Sequence, residues 1–221
     1  MGLSITEENY IKAIFKLSEN SLENISTNAI ASEIKTKAAS VTDMLQRLAD
    51  KDLLRYKKYK GVKLTSKGND VAVDLVRRHR LWEVFLVEKL NFNWDQVHEV
   101  AEELEHVSSP LLTSRLDQFL NFPRYDPHGD PIPDKDGNIP YFEEKKLSEL
   151  ENGDKGIIVN VNEQSPEFLQ YLDKLNIAIQ SKVEVLESND YDGSRQIKIN
   201  NDTSVFTSHK VCKNLIVKKI K

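Results

Sequence analysis

The sequence contains very little cysteine and no long apolar run. Its single cysteine, Cys212, excludes an intrachain disulfide framework and is typical of a reducing compartment. No apolar stretch approaches the ~18 residues that a membrane-spanning helix needs, and no signal-peptide pattern opens the sequence. We therefore expect a cytoplasmic protein with no membrane partner. The apolar share of 39% still suffices for a buried core in a chain of 221 residues.

The signatures of several enzyme classes are also absent. The chain has no His-Glu-x-x-His, Gly-x-Ser-x-Gly or Gly-x-Gly-x-x-Gly motif. Ser32-x-x-Lys35 matches a β-lactamase fragment, but its companion motifs are missing. We therefore expect that the protein is not an enzyme and that it uses no small organic cofactor. A metallohydrolase with Glu103 or Glu105 as general base is kept as an alternative.

Charge is distributed unevenly, although the net charge is only −4. Residues 35–67 contain ten basic and three acidic side chains, a local charge of +7. Residues 81–150 contain six basic and fifteen acidic side chains, a local charge of −9. A basic block beside an acidic block is typical of a part that faces nucleic acid joined to a part that binds cations.

The basic block belongs to a segment with the pattern of a winged helix-turn-helix. Ser4-Ile5-Thr6-Glu7 is typical of a capping box that opens an amphipathic helix over 6–19. Thr27 is expected to cap a short second helix, and a third helix is predicted over 39–51. Alternating residue types around Tyr59-Lys60-Gly61 then indicate a β-hairpin. Helices of this length followed by a basic hairpin favour binding to double-stranded DNA.

In such a domain the 39–51 helix enters the major groove. Small and hydroxyl side chains at its start suit thymine methyl groups and adaptable hydrogen bonds, and basic side chains suit phosphates. Asp43 is repelled by DNA unless it accepts a hydrogen bond from a cytosine amino group. Winged helices also dock proteins, so a metal-independent regulator that binds a small molecule or a protein is a second alternative. The candidate DNA-binding residues are Thr27, Asn28, Lys37, Ala39, Ser40, Thr42, Asp43, Arg47 and Lys60.

A stripe of histidines and carboxylates distinguishes residues 79–106. Its members fall into two sets with the spacing of one helical face. Carboxylates one turn apart repel each other unless a positive charge lies between them, and imidazole with carboxylate is the ligand set of Mn(II), Fe(II), Co(II), Ni(II) and Zn(II). A solvated acidic face is the alternative, but the two sets use three of the chain's five histidines. The candidate ligands are His79 and Glu83 in one set and His98, Glu102, Glu105 and His106 in the other.

The rest of the chain divides by its residue pattern. Apolar residues at helical spacing predict a helix over 70–90, broad enough to be a dimer face, and further helices over 95–107 and 109–120. Five of the seven prolines lie between 123 and 140 and indicate a linker, and short alternating strands after 147 predict a small barrel. The predicted domains are 1–70, a winged helix-turn-helix DNA-binding domain; 71–122, a helical metal-binding and dimerisation domain; 123–146, a linker; and 147–221, an SH3-like domain.

The combination of motifs resembles the diphtheria-toxin-repressor family of metal-dependent transcriptional repressors. The motifs are Lys63-Leu64-Thr65-Ser66-Lys67-Gly68, Arg78-His79-Arg80-Leu81-Trp82-Glu83, Glu102-Glu103-Leu104-Glu105-His106 and Asp126-Pro127-His128-Gly129-Asp130-Pro131-Ile132-Pro133. The resemblance implies a mainly α protein with a winged helix-turn-helix, an all-α dimerisation domain and a C-terminal SH3-like β-barrel. It also implies a homodimer that binds a palindromic operator when metal is bound and represses metal-homeostasis genes.

The resemblance further implies two metal sites. The donors are oxygen and nitrogen without sulfur, which favours Mn(II), with Fe(II) as the alternative. In the iron-sensing branch the C-terminal domain lends two side chains to one site, at positions occupied here by Gln164 and Glu167. Polar capping of the helix after Pro166 is the alternative for these two. The implied ligands are His79, Glu83, His98, Gln164 and Glu167 for one site and Asn9, Glu102, Glu105 and His106 for the other.

Overall fold

The computed structural model describes residues 2–19, 24–57, 60–139 and 145–220. Lys58 and Tyr59 of the predicted hairpin, and positions 140–144 of the predicted linker, lie outside the described residues. The chain forms two compact units. The first comprises Met1–His79, Glu102–Thr113 and Pro133–Asn138, and the second comprises Arg80–Ala101, Ser114–Ile132 and Ile139–Lys221. The four predicted domain boundaries stay a prediction.

The first unit opens with three helices followed by an antiparallel hairpin. In the hairpin Leu54 pairs with Leu64. This order confirms the predicted winged helix-turn-helix. The elements are α1 (Ile5–Glu19), α2 (Thr27–Glu33), α3 (Ala38–Asp50), β1 (Leu54–Lys57) and β2 (Gly61–Leu64).

Side chains cap the first two helices. The backbone nitrogen of Ser4 donates to Glu7 Oε2 at 2.9 Å, and that of Glu7 donates to Ser4 Oγ at 3.3 Å, so the predicted capping box is confirmed. The cap predicted at Thr27 is wrong. Ser26 has the extended backbone of a cap residue, and its Oγ accepts from the backbone nitrogen of Ala29 at 3.1 Å.

The core of the first unit fixes the orientation of α3. Val41, Leu45 and Leu48 are fully buried and pack with Ile11 and Ile14 of α1. Spacings of four and three residues put these α3 side chains on one face, which leaves the opposite face to solvent. The position of α3 therefore follows the position of α1.

Three further helices supply the histidines and carboxylates. They are α4 (Ser66–Leu90), α5 (Val97–Leu104) and α6 (Pro110–Phe119). The first begins earlier than predicted, because Thr65 Oγ1 accepts from the backbone nitrogen of Gly68 at 3.1 Å and caps it. Within the described part of the chain, no helix has both the length and the apolar character that a membrane crossing requires. In the second unit Leu90, Phe119 and Phe122 are exposed, and the predicted dimer face stays a prediction.

The second unit contains a six-stranded antiparallel sheet in the order β3-β8-β4-β5-β6-β7. Short strands follow residue 147 as predicted, and the fold class, mainly α with a small SH3-like β domain, is confirmed. A two-residue strand, a 3-10 turn over Leu147–Glu149 and a short helix were missed, because none is long enough to establish a period. The elements are β3 (Lys145–Lys146), β4 (Lys155–Val161), α7 (Pro166–Lys174), β5 (Lys182–Ser188), β6 (Arg195–Ile199), β7 (Thr203–Thr207), α8 (His209–Asn214) and β8 (Leu215–Ile220).

Candidate metal centres and DNA-binding face

An acidic cluster in the first unit joins α1 to the end of α5. We define it as Glu8, Lys12, Glu102, Glu105 and His106. Glu8 and Lys12 lie one turn apart on α1 and therefore on one face. Glu8 Oε2 lies 2.6 Å from His106 Nδ1. Lys12 Nζ donates to Glu105 Oε2 at 2.6 Å and lies 3.9 Å from Glu102 Oε1. The predicted stripe of carboxylates thus has a positive charge beside it.

Glu105 is the most enclosed carboxylate of this cluster. Only 1% of its side chain is exposed, and its Oε2 also lies 2.6 Å from His79 Nδ1. Burial raises the pKa of Glu105, but the hydrogen bond from His79 and the charge of Lys12 outweigh it and hold the pKa below its ordinary value. Glu105 is therefore kept ionised, which is the form in which a carboxylate binds metal.

Asn9 occupies a different part of α1. It is exposed and lines a cleft with Ser40, Asp43 and Arg47. Successive residues of an α-helix are rotated by about 100°, so neighbouring side chains point in different directions. The structure brings Glu8, and not Asn9, to His106, and this placement does not support the ligand role expected for Asn9.

A second cluster lies in the second unit, and we call it the turn cluster. It consists of Glu83, Asp126 and His128, which are all buried and whose ligand atoms lie within 4.8 Å of one another. Asp126 Oδ1 accepts from the backbone nitrogens of His128 and Asp130 at 2.8 and 2.9 Å. Gly129 completes this turn with φ +94°, and an added Cβ would lie 1.9 Å from the Val159 carbonyl oxygen. The turn therefore needs glycine.

His128 presents one ring nitrogen to the turn cluster. Its Nε2 lies 2.8 Å from the Trp94 carbonyl oxygen, which can only accept, so Nε2 carries the proton. In the neutral form of that tautomer Nδ1 carries the lone pair that a metal would use, and Nδ1 is buried without a hydrogen-bond partner, 3.8 Å from Glu83 Oε2. A buried imidazole whose other nitrogen donates to a carbonyl is the usual state of a metal ligand. The residues present therefore fit a divalent cation.

The charges of the turn cluster also favour a cation. Burial raises the pKa of Asp126 well above its ordinary value, and the charges of Asp130 and Glu83 raise it further, whereas Arg80 lowers it. Arg80 Nε lies 3.8 Å from Asp126 Oδ2. Another nitrogen of the same guanidinium donates to the Pro131 carbonyl oxygen at 2.6 Å. One guanidinium therefore faces two carboxylates, those of Asp126 and Asp130.

The sequence reasoning missed Asp126 and His128 as candidate ligands. Both lie in the Asp126–Pro133 motif, one of those that carry the family resemblance. The available signal was two metal-binding residue types within three positions of a Pro/Gly turn.

The remaining predicted ligands lie around these clusters. Glu83 Oε1 is 3.4 Å from His98 Nδ1, and His79 precedes Glu83 by one turn on α4. Gln164 Nε2 donates to Asp130 Oδ2 at 2.9 Å. Gln164 is therefore linked to Asp126 only through Asp130, whose backbone nitrogen donates to Asp126. Glu167 is exposed in the first turn of α7, as the capping alternative expects.

The predicted DNA-binding residues are accessible. α3 exposes the face opposite its buried residues, and Lys37 precedes it as the N-cap residue. Thr42 Oγ1 donates to the Ala38 carbonyl oxygen at 3.2 Å, so its oxygen can still accept a hydrogen bond. Thr27 is half-buried. The exposed members of the predicted set are Asn28, Lys37, Ala39, Ser40, Thr42, Asp43, Arg47 and Lys60.

Three regions of the chain match described protein families. Residues 2–62 match "Iron dependent repressor, N-terminal DNA binding domain". Residues 65–134 match "Iron dependent repressor, metal binding and dimerisation domain", and residues 145–219 match "FeoA domain". The three matches follow one another without overlap and leave few residues unmatched.

Individual relatives give the same picture. The chain is 54% identical over 70 residues to a "Probable metal transport system membrane protein" of Chlamydia trachomatis, a match that covers 32% of this chain and 16% of that protein. It is 34% identical over 128 residues to the "Iron-dependent repressor IdeR" of Mycobacterium leprae, covering 58% of this chain and 55% of that protein. The chain therefore spans about half the length of IdeR and a smaller share of the Chlamydia trachomatis protein.

A solved structure is similar over its whole length. The "Manganese-dependent transcriptional repressor complex with manganese" has a TM-score of 0.88 and 33% sequence identity to this chain. The match covers 97% of this chain and 100% of that one.

Proposed function

Because the chain belongs to the iron-dependent repressor family, we propose that it is a metal-activated, homodimeric DNA-binding transcriptional repressor. It is a cytoplasmic protein, it binds a palindromic operator, and it controls genes of metal homeostasis. The observation that carries this proposal is the double role of α1. One face of α1 contacts the candidate ligands Glu105 and His106, and another shares a buried core with the DNA-facing helix α3.

The mechanism follows from this double role. Glu8, Glu102, Glu105 and His106 would hold a divalent cation, and its positive charge would offset their carboxylates and link α1 to the end of α5. Ile11 and Ile14 of α1 are fully buried against the core that holds α3, so fixing α1 also fixes α3. In a dimer the two copies of α3 must stand about 34 Å apart, or a multiple of it, to enter major grooves on one face of DNA. When α1 is fixed in one position, less free energy is needed to order the two α3 helices at that spacing, and operator binding is tighter.

The chemistry of the two clusters supports manganese or iron as the metal. The donors are carboxylates and imidazoles, without a thiolate, and such sets suit Mn(II) over softer ions. Mn(II) is our first candidate and Fe(II) the alternative, since the relatives include proteins named for each metal. The proposed ligands are Glu8, Glu102, Glu105 and His106 in the acidic cluster. In the second unit they are Glu83, Asp126 and His128 of the turn cluster, together with His98 beside Glu83.

Operator binding with and without metal tests the proposal. Duplexes selected from a random library in the presence of Mn(II) supply the probe, and fluorescence anisotropy gives the affinity with Mn(II), with Fe(II) and with chelator. We expect tight binding only with metal. Glu105→Gln should abolish this dependence while the dimer stays intact in sedimentation. Glu103→Gln is the matched control, because Glu103 is an exposed carboxylate two residues before Glu105.

Two outcomes would contradict the proposal. Operator binding of equal strength with chelator and with metal would favour a metal-independent regulator. Loss of a hydrolytic activity in the Glu103 variant would favour an enzyme.

A further inference from the structure

Lys12 is the only lysine in the acidic cluster as defined above, and it is held among the candidate ligands. Its Nζ lies 2.6 Å from Glu105 Oε2, 3.3 Å from His79 Nδ1 and 3.9 Å from Glu102 Oε1. Its side chain is 19% exposed. We propose that Lys12 is a built-in competitor of the metal, and that it sets the metal concentration at which the acidic cluster is loaded. This inference rests on the proposed function, because it concerns regulation of the same site.

The contacts of Glu105 Oε2 favour an exchange of cations at that oxygen. Its Oε2 receives hydrogen bonds from Lys12 Nζ and from His79 Nδ1, each at 2.6 Å. A carboxylate oxygen has two lone-pair directions, so a metal that binds this oxygen must displace one of the two donors. Two positive charges cannot share one carboxylate oxygen without strong repulsion in a buried site. Lys12 carries the charge, so it is the donor that leaves.

Lys12 is also the cation that is able to leave. A lysine ammonium is carried on a flexible four-carbon chain and is strongly hydrated, so it can swing into solvent at low cost. The other cation near the cluster is Arg78, whose side chain is 5% exposed and lies 3.9 Å from Glu8 and 3.4 Å from Asp74. Arg78 is enclosed on α4 and has no comparable path. The exchange therefore pairs an entering metal with a departing lysine.

The exchange predicts an unusual effect of removing the charge. In the unaltered protein the hydrogen bond from Lys12 to Glu105 must break before a metal binds that oxygen. A variant without this bond avoids that cost in free energy, so its Mn(II) affinity should be about ten- to a hundredfold higher. The protein without metal should become less stable, because Glu105 then lies buried without its closest cation. A structural ion pair that took no part in metal binding would show only the loss of stability.

Lys12→Met in the full chain tests the inference, with Lys16→Met as the matched control. Lys16 is one turn further along α1, 66% exposed, and pairs with Glu33 at 3.0 Å. Mn(II) affinity is measured by calorimetry and by the electron paramagnetic resonance signal of free Mn(II). We expect Lys12→Met to bind Mn(II) at least tenfold more tightly and Lys16→Met to match the unaltered protein. Equal or weaker binding by Lys12→Met would overturn the inference and leave the proposed function standing. Absence of Mn(II) and Fe(II) binding by the unaltered protein would overturn both.

A second measurement needs no variant. Reductive methylation of the unaltered protein, followed by mass spectrometry, reports the accessibility of each lysine amine. We expect saturation with Mn(II) to raise the modification rate of Lys12 severalfold while that of Lys16 stays constant. A rate for Lys12 that is unchanged in protein shown to have bound Mn(II) would overturn the inference.

Discussion

Replacing Asp126 by Asn should have two effects of opposite sign. Asp126 Oδ1 accepts two backbone hydrogen bonds in the turn, and the amide oxygen of Asn can accept the same two. What is lost is a buried charge whose pKa is raised by burial and by the charges of Asp130 and Glu83. A carboxyl group whose pKa is higher in the folded than in the unfolded chain destabilises the fold at pH 7. The variant should therefore be more stable without metal and should bind metal less tightly.

The magnitude follows from the neighbouring charges. Two unit charges about 4 Å apart interact by about 4 kcal/mol at an effective dielectric constant of 20. Attraction to Arg80, at 3.8 Å, offsets most of the repulsion, so we expect a net gain in unfolding free energy of about 1–2 kcal/mol. In a chain of this size that gain raises Tm by roughly 2–8 °C. Loss of one charged ligand should weaken Mn(II) binding at the turn cluster by at least about tenfold.

Thermal unfolding in chelator and in Mn(II), with the Mn(II) stoichiometry, is the assay. Asp134→Asn is a matched control, because Asp134 Oδ1 accepts from the backbone nitrogens of Asp136 and Asn138 in the same kind of turn but is exposed. The side-chain hydrogen bond from Asn138 lowers the pKa of Asp134, so its substitution should cost a little stability and leave metal binding unchanged. If Asp126→Asn lowered Tm in chelator and kept the full stabilisation by Mn(II), the carboxylate would be structural and the reasoning wrong.

Two further substitutions test the geometry. Glu8→Gln should weaken Mn(II) binding in calorimetry about tenfold or more, because it removes the carboxylate beside His106. Asn9→Ala should leave the Mn(II) affinity unchanged. The reverse result would support Asn9, the ligand that the resemblance implies. Gly129→Ala should lower the unfolding free energy in urea by about 1–3 kcal/mol or more, since φ is +94° and the new Cβ would meet the Val159 carbonyl oxygen; unaltered stability would refute the strain.

The helices and strands could be predicted because their signals are local. The capping box at Ser4 and Glu7 lies within four residues, and the apolar period of α3 is complete within its own length. The strands over 155–161 and 195–199 alternate buried and less buried side chains, as a sheet with one covered face requires. In each case the residues that form the sequence pattern are the same residues that make the stabilising contacts of the helix or strand.

The turn cluster could not be predicted in this way, because nothing local joins its residues. By composition, residues 126–133 are a Pro/Gly linker. The turn is held by a β-bridge between Tyr125 and Pro131 and by the backbone nitrogen of Val161, which donates to the His128 carbonyl oxygen at 3.1 Å. Glu83 lies more than forty residues away along the chain. A period within one helix cannot report a partner on a distant turn.

The expected ligand role of Asn9 rests on a different kind of signal. The helical pattern correctly buries Tyr10, Ile11 and Ile14, and so it already fixes the rotation of α1. With those residues inward, the cluster needs donors that repeat at the spacing of one face, and Glu8 with Lys12 satisfies this. The resemblance instead assigns a role to Asn9 by its equivalent position on the first helix, which does not take the direction of the side chain into account.

The two clusters resolve the same electrostatic problem in different ways. In the acidic cluster, Lys12 neutralises Glu105 directly, and the carboxylate has a charged partner that a metal must replace. In the turn cluster, Arg80 is anchored by the Pro131 carbonyl oxygen, and the lone pair of His128 Nδ1 is left buried without a hydrogen bond. Glu83, Asp126 and His128 would hold a cation there without losing any of these contacts, and His128 Nδ1 would gain a partner that it otherwise lacks. Affinity at the acidic cluster is therefore limited by competition, whereas affinity at the turn cluster is limited by how well the turn is preorganised.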